Sequence, residues 1–128
     1  MLQKSIYSTP RNSKMNLNEV YFWTNRIKDW KNLLKPDKYK QIIIDSLRNL
    51  CERQLINVYG FVIMPNHMHL IWELKRKNGK EKPNASFNKE TAHLIVNDLK
   101  IYHSHVLPYF KVNEMERSIR FGKEILWQ

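Results

Sequence analysis

The sequence predicts an α+β sandwich: one antiparallel sheet with two helices on one of its faces. Three observations carry this reading. Two segments repeat apolar residues at helical spacing, three shorter runs have the alternation or β-rich content of strands, and the two kinds are interleaved. The 128 residues fit one domain with a hydrophobic core. Residues 1–17 read as a flexible N-terminal tail and residues 18–128 as a single domain.

The first strand candidate is "NEVYFWTNRIKDW". Val20, Phe22 and Thr24 alternate with Tyr21, Trp23 and Asn25, and both sets carry bulky groups, as in a central strand. "KNLLKPDKYK" leads into a helix, with Pro36 near its first position and Asp37 in its first turn. That helix, "DKYKQIIIDSLRNLCERQ", repeats Tyr39, Ile43, Leu47, Leu50 and Cys51 along one side. Cys51 is the only cysteine, which excludes an internal disulfide and a thiolate zinc site.

Two strands follow, "INVYGFVIM" and "HMHLIWEL", joined by a tight turn at Pro65-Asn66. Proline presets φ there and asparagine tolerates unusual backbone angles. "KRKNGKEKPNA" reads as a basic loop. A second helix, "SFNKETAHLIVNDLKIYHSHV", takes Ser86 as its N-cap and ends before Pro108. A last strand is expected within "LPYFKVNEMERSIRFGKEILWQ". The order β-α-β-β-α-(β) is that of a ferredoxin-like split βαβ sandwich, whose sheet keeps one face clear of helices.

Lys and Arg number 22 against 12 acids, for a formal net charge of +10. Such a balance favours a polyanionic partner, most simply nucleic acid. No apolar run approaches the roughly 20 residues that cross a bilayer. The expectation is a cytoplasmic protein without a membrane partner.

Strand alternation puts His67, His69, Ile71 and Glu73 on one face and Met68, Leu70 and Trp72 on the other. The second set belongs to the core. The histidines therefore share the helix-free face, with Cβ atoms about 7 Å apart. Two neutral imidazoles at that spacing can converge on one divalent metal. They can also be packed strand histidines. Glu73 or His93 is the possible third ligand, and each has a plainer role, as a strand-end carboxylate or a helix surface residue. Lys75, Arg76, Lys77, Lys80 and Lys82 follow the histidine strand as a DNA-contacting or merely solvated loop.

The stretch "YGFVIMPNHMHLIWE" resembles the signature of the HUH single-tyrosine transposases, the insertion-sequence and REP-associated tyrosine transposase superfamily. The likeness rests on Met64-Pro65-Asn66-His67-Met68-His69 and on Tyr59 to Ile63 before it. It extends over roughly residues 19–100. The closing Leu126-Trp127-Gln128 resembles a segment that in such proteins precedes many more residues, which implies a C-terminally shortened member.

The resemblance implies metal-dependent cleavage and rejoining of single-stranded DNA, usually beside a hairpin, with Mg²⁺ or Mn²⁺ held by His67, His69 and a third side chain. It implies a tyrosine nucleophile and a 5′-phosphotyrosine intermediate. The family places that tyrosine on a helix after the histidine strand, often with Gln or Asn four residues later. Here the candidates are Tyr102, followed four residues later by Val106, and Tyr109, followed by Asn113. Asp98 occupies the usual tyrosine place. Alternative readings are a catalytically inactive relative and a module that binds single-stranded nucleic acid without chemistry. A homodimer through an exposed sheet edge is a further expectation.

Overall fold

The computed structural model describes residues 6–7, 15–110 and 126–127. It has strands β1 (Ile6–Tyr7), β2 (Val20–Arg26), β3 (Ile56–Met64) and β4 (His67–Leu74), and helices α1 (Asp37–Glu52) and α2 (Pro83–Tyr102). The three long strands form an antiparallel sheet in the order β2-β4-β3, with α1 and α2 packed on it. The two-residue β1 lies parallel to the start of β2.

Alternation decides which face the helices cover. On β2, Tyr21, Trp23 and Asn25 are buried; on β4, Met68, Leu70 and Trp72 are. The Trp23 and Trp72 rings stack 4.9 Å apart, and Phe87 of α2 meets both edge-on. Tyr39, Ile43, Leu47 and Leu50 of α1 and Ile95, Val96 and Leu99 of α2 complete this core. Cys51 packs against it half-buried, and burial pushes its thiol pKa up. Met15, assigned to the tail from sequence, is fully buried in the same cluster, and its carbonyl accepts from Lys82 Nζ at 2.6 Å.

Several boundaries differ from expectation. β2 ends at Arg26 rather than running on to Trp30, and a 3-10 turn follows with Asp29 at φ 59°. The second helix begins at Pro83, not after Ser86. Proline suits the first helical position because its missing N–H has no helical partner there. Ser86, now inside the helix, donates from Oγ to Glu81 Oε1 at 2.7 Å. The helix ends at Tyr102, and Ser104–Phe110 form a 3-10 segment that contains Pro108.

The expected last strand lies largely outside the described residues. Its end does not: Lys28 N donates to Leu126 O at 2.8 Å, and Trp127 bridges Ile27 in antiparallel sense. The Trp127 indole is buried and donates to Thr91 Oγ1 at 2.9 Å. No described helix is long and apolar enough to cross a membrane.

Candidate functional site

His67 and His69 stand on the face of β4 turned away from the helices. Register builds cross-strand rows around them. Arg26, His67 and Met64 form one row across β2, β4 and β3; Thr24, His69 and Val62 form the next. Phe22, Ile71 and Gly60 form the third.

The imidazoles meet edge-to-face with ring centroids 4.9 Å apart. Nδ1 of His67 lies 2.7 Å from Asn66 Oδ1, an acceptor, so the ring donates there and its lone pair sits on Nε2. Nδ1 of His69 lies 2.9 Å from Thr24 Oγ1, which can accept in the same way. The His69 ring also stacks on Phe22, centroid to centroid 5.2 Å. Burial, then the neighbouring His69, holds the His67 pKa below its ordinary value, which favours a neutral ring. Both rings are thus oriented through Nδ1, the support that metal-binding histidines normally have.

The other candidates are dispersed. Glu73 shares the face but sits four residues along the strand from His69, about 13 Å away at strand rise. It is buried, accepts from Tyr59 Oη at 2.8 Å and pairs with Lys75 Nζ at 3.7 Å. His93 is exposed on α2 and lines a surface cavity of about 410 Å³ with Glu81, Ser86, Lys89 and Glu90. Among the described residues, no three His, Cys, Asp or Glu side chains converge as a metal site. The pair therefore has no third protein ligand of those types there.

The basic loop follows the far end of β4, about 23 Å along the strand from His67. Its members are partly engaged already. Arg76 donates to the Arg53 and Gln54 carbonyls, and Lys82 to Met15. Lys77 and Lys80 are exposed.

Tyr102 belongs to the helix layer, on the other side of the sheet from the histidines. It is 68% exposed, and Lys38 Nζ lies 5.2 Å from its ring centroid. The backbone of Tyr109 lies in the 3-10 segment after α2; Asn113 falls outside the described residues. Asp98, in the place expected of the tyrosine, accepts from Tyr39 Oη and pairs with Lys38 Nζ, both at 2.7 Å.

Thr24, Asn66, Phe22 and Arg26 are the neighbours that sequence reasoning did not find. Asn66 was visible as a turn and motif residue, not as a partner of the His67 ring. The other three become neighbours only through the pairing of β2 with β4.

Compared with known proteins, the chain matches no protein-family model, and no match to a curated protein was found.

Proposed function

We propose that this chain is a DNA-transposition protein of the HUH type, cutting and rejoining single-stranded DNA with a divalent metal. The observation that carries the proposal is the His67–His69 pair, two imidazoles 4.9 Å apart on the helix-free face with Nδ1 of each beside an orienting oxygen. The likeness of Tyr59 to Glu73 to the HUH signature supports the same reading. So does a net charge of +10. The finer fold that accompanies it is the ferredoxin-like split βαβ sandwich, whose last strand would lie along the β2 edge where Trp127 meets Ile27, beyond the stretch that β1 pairs.

Two imidazole nitrogens are borderline donors, so a Mg²⁺ or Mn²⁺ ion here would take its remaining, oxygen ligands from water and the DNA phosphate. His67 and His69 would hold the ion through Nε2. Bound there, it would polarise the scissile phosphate as a Lewis acid. The chain's own residues do the rest. Asn66 and Thr24 fix the two rings, and Arg26, across from His67, brings positive charge to the same row.

In the proposed reaction a tyrosine oxygen attacks phosphorus. The new P–O bond forms as the bond to the 3′ oxygen breaks, and the phenol proton passes to that oxygen. The products are a 5′-phosphotyrosine and a free 3′-OH. Rejoining is the reverse, so no external energy source is required. Tyr102 and Tyr109 are the two candidate nucleophiles. The DNA partner would carry a hairpin. β3 is an edge strand, bonded to β4 alone among the described strands, and a second copy would pair along its outer side.

One observation favours a second reading, a relative that binds single-stranded DNA without cutting it. Tyr102 stands in the helix layer, not beside the histidines. An adduct assay separates the two. Labelled hairpin DNA and Mn²⁺ are incubated with the protein and resolved on denaturing gels. A metal-dependent covalent band, absent in His67→Ala and in one Tyr→Phe variant, is the expected result. Hairpin binding with no band would replace catalysis by binding. Absence of both the covalent band and hairpin binding would overturn the proposal.

A further inference from the structure

The row beside the histidines forms a slot. Phe22, Ile71 and Gly60 stand across β2, β4 and β3 on the helix-free face. The ladder is irregular between Val58 and Gly60, so Tyr59 is an extra residue opposite β4. Its hydroxyl reaches Glu73 Oε1 at 2.8 Å, which brings the ring to the same face. Tyr59 is 60% exposed and Phe22 38%. A Cβ placed at Gly60 would meet no atom within 4 Å. Phe22, which leans on His69, and Tyr59, which leans toward Glu73, thus flank Ile71 and the bare Gly60 backbone in a shallow slot. Two strand spacings separate the backbones of Phe22 and Gly60, about 10 Å, with the Ile71 side chain between them.

We propose that this slot seats one unpaired base of a DNA strand whose phosphates pass His69, His67 and Arg26. The inference rests on the DNA reading above and adds a base-binding position to it. Aromatic rings take any base by stacking, and their contribution is tolerant of sequence. Positive charge in the Arg26 row and over the whole chain complements the backbone of that strand. Glycine at position 60 keeps the floor clear. Its φ is not in the left-handed region, so a β-branched residue fits the strand there and would fill the slot.

The test is fluorescence anisotropy with the full chain, a labelled 12-residue oligo-dT and EDTA at fixed salt. Leaving metal out separates base seating from cleavage. Gly60→Val and the pair Phe22→Leu with Tyr59→Leu should each weaken binding about 10-fold, with Tm of Gly60→Val unchanged. An abasic site walked along the oligonucleotide should give a similar loss at one position. Wild-type affinity in both variants, or equal binding of a fully abasic strand, overturns the slot. If the hairpin adduct still forms in that case, the transposase reading stands without it. If no oligonucleotide binds, the slot falls; the DNA reading falls with it only where hairpin binding and the hairpin adduct are absent too. A Gly60→Val protein that sediments as a monomer where the parent is a dimer, with DNA affinity unchanged, makes the slot a self-association surface and overturns the proposal.

Discussion

Thr24 Oγ1 lies 2.9 Å from Nδ1 of His69, across the β2–β4 ladder. The contact joins residues 45 positions apart and turns the ring so that Nε2 is its remaining nitrogen. Loss of such an outer partner typically costs 10- to 100-fold in metal affinity. Thr24→Val keeps shape and strand propensity but removes the acceptor. Calorimetric titration with Mn²⁺ should show about 10-fold or more weaker binding, with little change in Tm. Equal affinity in parent and variant would mean that the hydroxyl does not orient a metal ligand.

The two indoles beneath the histidine face set a second expectation. Trp23 and Trp72 are 1% and 0% exposed and stack on each other. Trp23→Ala would remove that stack and open a cavity against Phe87. Losses of this kind cost about 3–5 kcal/mol. Urea unfolding should show the midpoint fall by that equivalent. A loss under about 1 kcal/mol would mean that the core closes around the gap.

How much of this was legible in the sequence follows from the range of each interaction. Pro65-Asn66 marks a turn locally, so the β3–β4 hairpin and its alternation could be read directly. His67 and His69 do share a face opposite buried Met68, Leu70 and Trp72. Alternation says nothing about distance along that face, however, and Glu73 is occupied by Tyr59 and Lys75 instead. The basic loop adjoins the histidine strand in sequence but at the wrong end of it in space. Thr24 and Arg26 depended on strand register, a long-range property that no local pattern encodes. Ser86 was a plausible cap, yet Lys82-Pro83 opens the helix one turn earlier.

Asp98 gives the molecule an acid-sensitive joint between its helices. Lys38, which contacts Asp98 and lies 2.7 Å from His103 Nε2, and Tyr39 hold its carboxyl below the usual range, the Lys38 bond first. A carboxyl whose folded pKa is depressed adds stability that is fully present above its unfolded value, about 3.9. That stability is lost as pH falls through the lower folded value. Asp98→Asn should therefore lower Tm at pH 7 and converge on the parent as pH falls through the depressed folded value. A parallel offset at every pH would assign the effect to packing rather than charge.

A buried indole ties Leu126 and Trp127 to the helix layer and the sheet. Trp127 is 5% exposed, its ring 6.1 Å from that of Phe87, and its Nε1–H donates to Thr91 Oγ1. Thr91 itself donates to the Phe87 carbonyl at 2.7 Å, so one hydroxyl joins the helix to the indole. Thr91→Val preserves volume but leaves the indole donor buried without its acceptor. An unsatisfied buried donor costs about 1–3 kcal/mol. Thr91→Val with Trp127→Phe removes both partners and should recover part of that loss. A double-mutant cycle by urea unfolding measures the coupling. Strict additivity would show that the bond contributes nothing, and that Leu126 and Trp127 are held by apolar burial and the backbone bond to Lys28 alone.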